Sequence, residues 1–162
     1  MDSNILFRYA LTDAWCWRLC EVSVSKKGEV EYREEQHETR YCTLDAASLE
    51  MIKNIIETHS FVMDYKSFDL ESPNCLDGVM NFFSFASKDE RIVDLMALNI
   101  GEVRNPAASF SEGLSSLAEK REVKHDIVPV KALKLVEVFD KIAEVLTKNG
   151  VNPSCLRLTY QS

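Results

Sequence analysis

The sequence predicts an α+β fold: a mainly antiparallel sheet of about five to seven strands in two meanders, packed with about three helices. Three observations carry that reading. Apolar residues alternate with period two near the start of the chain and again at its middle, so strands come in runs rather than singly between helices. Two stretches, Ala46 to about Thr58 and Val130 to Asn149, carry apolar residues at helical spacing. Glycine or a short polar break separates successive strands where hairpins need turns. The 162 residues, 46% of them apolar, fit one α+β domain over 1–162 with an ordinary core and no metal or disulfide staple.

From Asn4 to Ala10, Ile5, Phe7 and Tyr9 alternate with Leu6, Arg8 and Ala10, the period of a strand, and Leu11 to Ala14 reads as a loop. A second strand resumes at Trp15, with Cys16, Cys20, Val22 and Val24 on one face and Trp15, Trp17 and Leu19 on the other. Ser25-Lys26-Lys27-Gly28-Glu29 is a tight break with glycine where positive φ is needed. The return strand holds Val30 and Tyr32, then turns polar at Glu34-Glu35-Gln36-His37-Glu38, which suits a sheet edge. Thr39 to Thr43 adds a short strand. Asp45 is an N-cap, with Leu44 and Leu49 at the spacing of a hydrophobic staple, so a helix runs from Ala46 to about Thr58.

Phe61 to Phe68 reads as a strand through Phe61, Met63 and Tyr65. Leu76-Asp77-Gly78 then opens a hairpin whose arms are Val79 to Ala86 and Arg91 to Asn99. Its first arm is apolar on both sides, Val79, Phe83 and Phe85 against Met80, Phe82 and Ala86. That pattern places the hairpin inside a sheet covered on both faces rather than at an edge. Helices on one face alone would leave the other for a second subunit or a partner. Asn105-Pro106 starts a helix to about Arg121, and Val130 to Asn149 forms a longer one closed by Asn149-Gly150. The tail from Cys155 to Tyr160 reads as a short strand.

A net charge of −7 and a pI near 5.0 argue against nucleic-acid binding, which needs clustered cations. The nearest cluster, Lys120, Arg121 and Lys124, is broken by Glu119 and Glu122. With no cationic leader and no apolar run of membrane length, a cytoplasmic location without a membrane partner is expected. Five cysteines at irregular spacing fit reduced thiols. No phosphate-cradling glycine loop and no nucleophile elbow occurs. His37, His59 and His125 lack ligand spacing, and Cys16 and Cys20 on a strand stand about 13 Å apart. No catalytic residue, metal or cofactor is therefore expected. His59, just past the helix, reads as a cation favoured by the helix C-terminus.

Asp94 interrupts an apolar strand, and Asn81 and Asn99 on the same hairpin are candidates to join it in a polar cluster. Trp15 and Trp17 share a strand face, where the default reading is core and the alternative a binding anchor. Together these features point to a non-catalytic, cytoplasmic protein-interaction domain of adaptor or immunity type. It acts by self-association as a homodimer or by capture of a basic partner on its acidic surface. The alternative is a small-ligand-binding protein or enzyme with a pocket beside the central hairpin.

Overall fold

A computed structural model describes residues 3–15, 17–70, 78–104 and 130–159. Six strands, β1 (Ile5–Thr12), β2 (Arg18–Ser25), β3 (Glu29–Glu34), β4 (Arg40–Thr43), β5 (Met80–Ala86) and β6 (Ile92–Leu98), form one sheet. Every neighbouring pair is antiparallel, in the order β4-β3-β2-β1-β5-β6. The first meander thus runs outward from β1 on one side, and the later hairpin docks on the other. Helix α1 (Ala46–Thr58) follows the first meander and α2 (Val130–Lys148) follows the second.

One face of the sheet carries Phe7, Tyr9 and Leu11 of β1, Val22 and Val24 of β2, and Phe83 and Phe85 of β5, all fully or nearly fully buried. Phe139 of α2 is centred on this face, with ring centroids 4.6 Å from Tyr9, 5.6 Å from Phe83 and 6.4 Å from Phe7. Helix α1 packs beside α2 and adds Ile52 and Ile56 to the same core. The Asn149 side-chain amide ties the two helices by donating to Ser48 Oγ at 3.0 Å. The fold is therefore α+β with its described helices on one side of an antiparallel sheet.

Local sequence chemistry explains the element ends. The Asp45 carboxylate accepts from the Ser48 N–H at 2.6 Å and starts α1 where the N-cap pattern predicts. Gly28, at φ 91°, turns β2 into β3. Two described α-helices are found, because the helix expected from Pro106 to about Arg121 lies outside the described residues.

Four expectations are corrected. The central hairpin is not interior: β5 pairs on both sides, but β6 is an edge strand. Its outward-facing Ile92 and Met96 are 41% and 38% exposed, and Ser67 Oγ caps the edge by accepting from the Met96 N–H. Phe61 to Phe68 is not a strand but parts of two 3-10 helices, Ser60–Asp64 and Ser67–Leu70. Consecutive Val62 and Met63 are both buried there, which alternation does not allow. The tail forms a 3-10 turn, Pro153–Leu156, and an irregular segment held by side chains rather than by a strand partner. Finally, Glu35 to Glu38 is the turn into β4, and β4 supplies the sheet edge on that side.

Candidate functional site

With the described helices on one face, the other face of the sheet presents residues that alternate with the core positions. On β1 these are Arg8, Ala10 and Thr12, opposite Ser84, Phe82 and Met80 of β5. Beyond them on β6 stand Asp94 and Met96, paired with Ser84 and Phe82. On the other side Glu21 of β2 faces Ala10 and Arg33 of β3. Arg18 joins this face through an irregularity: Leu11 pairs with Cys20, but Thr12 pairs with Arg18, so Leu19 is an extra residue. That bulge turns Arg18 outward; strict alternation from Cys20 would aim it into the core.

Glu21 is ringed by three guanidinium groups. Arg18 bonds it directly, Arg33 approaches to 3.4 Å and Arg8 to 3.9 Å. Three arginines carry about fifteen N–H donors, while one carboxylate offers about four acceptor sites. The cluster therefore holds donor capacity in excess of its own acceptor. A depression of about 420 Å³ opens between this cluster and the hairpin, with Ala10 on its floor and Arg8, Thr12, Arg18, Phe82, Asp94 and Met96 among its walls. Thr12 is buried and its hydroxyl has no hydrogen-bond partner. Such an orphan hydroxyl costs about 1–3 kcal/mol.

The structure places the predicted polar residues in three different settings. Asp94 lies on the open face, where Ser84 Oγ donates to its carboxylate at 2.5 Å. Asn81 points the opposite way and is fully buried. Its Nδ2 donates to Tyr9 Oη at 2.9 Å and to the Leu158 carbonyl at 3.0 Å, and its Oδ1 accepts from the Ile100 N–H at 3.1 Å. The Tyr9 hydroxyl in turn donates to the Arg157 carbonyl at 2.7 Å. Asn81 is thus a bolt that fastens the tail beneath the sheet. Asn99, at φ 51°, closes the hairpin's open end by accepting from the Val79 N–H at 2.9 Å. Asn81 and Asp94 are not brought together, because residues of odd and even number on β5 and β6 face opposite sides.

Trp15 and Trp17 are outside the core, 89% and 59% exposed, and precede β2 rather than belonging to it. The cause is Asp13: its Oδ1 accepts from the N–H groups of both tryptophans at 2.9 Å, while its own N–H donates to the Trp17 carbonyl at 3.0 Å. A local side-chain cap competes with strand pairing and wins. The loop is therefore a built turn that holds two indoles in solvent.

No family model matches this chain, and neither does any curated protein. Function has to be read from the groups themselves. Burial pushes the Cys20 thiol up to about 11 against the opposing pull of Arg157, and burial with Glu34 pushes Cys155 up to about 12. At neutral pH both are protonated, the wrong state for a nucleophile or a metal ligand. Cys20, Cys42 and Cys155 are free thiols, and Cys16 and Cys75 lie outside the described residues. The His59 Nδ1 lies 2.7 Å from the Ile55 carbonyl oxygen, and its Nε2 lies 3.2 Å from Lys141 Nζ. The ring thus sits at the C-terminal end of α1, as the sequence suggests. Among the described residues no group of three or more His, Cys, Asp or Glu side chains is placed to hold a metal ion, and no helix is long and apolar enough to cross a membrane.

Proposed function

We propose that this chain is a non-catalytic protein-interaction domain that binds a basic partner, with the Trp15–Trp17 turn as its anchor. The observation that carries this is the exposure of both tryptophans on a turn that Asp13 fixes by three hydrogen bonds. Tryptophan dominates binding hot spots, and its face is the best aromatic platform for an ammonium or guanidinium group. A chain of net charge −7 adds long-range attraction for a cationic partner. Among the described residues, Cys20 and Cys155 are buried as thiols and His59 caps a helix, which fits a binding role. A cytoplasmic location belongs to this reading, supported by the free thiols of Cys20, Cys42 and Cys155.

The test is fluorescence anisotropy of labelled lysine- and arginine-rich peptides, with glutamate-rich peptides as controls. Binding is expected for the basic peptides only, weakening as salt rises. The Trp15→Ser/Trp17→Ser double variant should lose about thirtyfold in affinity or more, corresponding to one hot spot of about 2 kcal/mol, with an unchanged melting temperature. Equal binding of basic and acidic peptides, or a double variant that binds as well as the parent, refutes the proposal.

A further inference from the structure

We infer that the depression on the open sheet face is a binding site for a small carboxylate with an apolar body. This goes beyond the protein contact, since it uses the face of the sheet and neither tryptophan. Its volume of about 420 Å³ lies within the about 300–1,000 Å³ typical of small-molecule sites. Three independent features of its lining point to an acceptor-bearing, partly apolar occupant.

The first is Thr12, a buried residue of the lining whose hydroxyl has no partner inside the protein. Rotation of that hydroxyl towards the depression would let a ligand oxygen satisfy it. The second is the surplus of guanidinium donors: Arg8 and Arg18 both line the depression, yet share the single carboxylate of Glu21 with Arg33. Arg18 reaches the site only because of the bulge at Leu19, a device often found where a side chain is re-aimed for a functional reason. The third is the bed between the strands. Ala10 is small and leaves the floor low, while Phe82 and Met96 flank it with apolar surface.

Charge sets the orientation. Arg8, Ser84 and Asp94 stand in one cross-strand row, so the backbones of Arg8 and Asp94 are two strand spacings, about 10 Å, apart. The ligand carboxylate sits at the Arg8–Arg18 end and is repelled from Asp94. The apolar body lies over Ala10 against Phe82 and Met96, and a hydrogen-bond donor at its far end would be favoured by Asp94.

The test is a heteronuclear NMR titration of the intact protein with phenylacetate, and with phenylacetamide as the uncharged control. Phenylacetate should shift the Thr12 methyl and the Arg18 side-chain signals, and phenylacetamide should bind about tenfold more weakly or worse. Arg18→Gln, at an exposed position, should weaken phenylacetate at least fivefold. Thr12→Val separates a ligand role from a structural one: it removes an orphan hydroxyl, so it should raise the melting temperature while weakening phenylacetate severalfold. Acid and amide binding alike, no shift at millimolar phenylacetate, or both variants binding as the parent does would overturn the inference.

Discussion

Replacing Asn81 with leucine keeps the number and branching of side-chain heavy atoms but removes two donors and one acceptor from a fully buried position. The Ile100 N–H and the Leu158 carbonyl would then lose the partners they have at 3.1 Å and 3.0 Å. The Tyr9 hydroxyl would keep its bond to the Arg157 carbonyl and lose only its role as an acceptor. Two orphaned backbone groups at about 1–3 kcal/mol each cost about 2–6 kcal/mol. The extra apolar surface of leucine offsets about 1–2 kcal/mol of that. The net loss is about 1–4 kcal/mol, a large share of the about 5–15 kcal/mol that a domain possesses. Urea unfolding of Asn81→Leu should show it, with a melting temperature lower by about 2–16 °C. Because the bolt is local to Ile100 and the tail, amide exchange at Ile100 should accelerate before that of the central strands. A loss below about 0.5 kcal/mol with Ile100 protection intact would show that Asn81 does not hold the tail.

Other perturbations follow from the same structure. The native Cys20 thiol keeps its proton up to about 11 whereas the unfolded one ionises near 9.0. Its contribution is therefore complete below pH 9 and is lost as pH rises towards 11, by about 3 kcal/mol for the two-unit shift, so Cys20→Ala should show a shallower alkaline decline in unfolding free energy. A parallel decline in both proteins would refute this. The Asp45 carboxylate is held below its ordinary value by its bonds to Ser48. Asp45→Ala should therefore lower stability at neutral pH, and the difference should vanish as pH falls through that depressed value; a difference that persists in acid contradicts the capping account. In Gly78→Ala the new Cβ would fall 2.3 Å from Asn99 Oδ1 at φ 141°, so the hairpin closure should weaken by about 1–3 kcal/mol in urea unfolding, and a neutral effect would refute it.

The features that depend on local signals were readable in the sequence. The limits of α1 came from the Asp45 cap and the stripe through Ile52 and Ile56, and the β2–β3 turn from Gly28. Features decided by competition were not. Asp13 captures the N–H groups of Trp15 and Trp17, and no alternation pattern reports that a strand has been forestalled by a side-chain cap. Apolar residues on both faces of the central hairpin suggested an interior position, yet the order of strands is a tertiary choice that left β6 at the edge. Of the open-face site, Arg8 was visible as a polar interruption of the first strand, whereas Thr12 fell in the stretch Leu11 to Ala14 that reads as a loop, although β1 runs on to Thr12. Arg18 was not visible, because only the bulge at Leu19 brings it to that face. Asp94 was legible as a polar interruption of its strand, and its facing away from Asn81 follows from the pleat.

The two tryptophans are the only ones in the chain, so its indole emission reports on the Asp13 turn alone. Acrylamide quenching of that emission, in the free protein and with a saturating lysine- and arginine-rich peptide, decides whether the turn is the binding anchor. Red-shifted, strongly quenched emission is expected in the free protein, with marked protection when the peptide binds. Weak quenching of the free protein, or strong quenching that the bound peptide leaves unchanged, would contradict it.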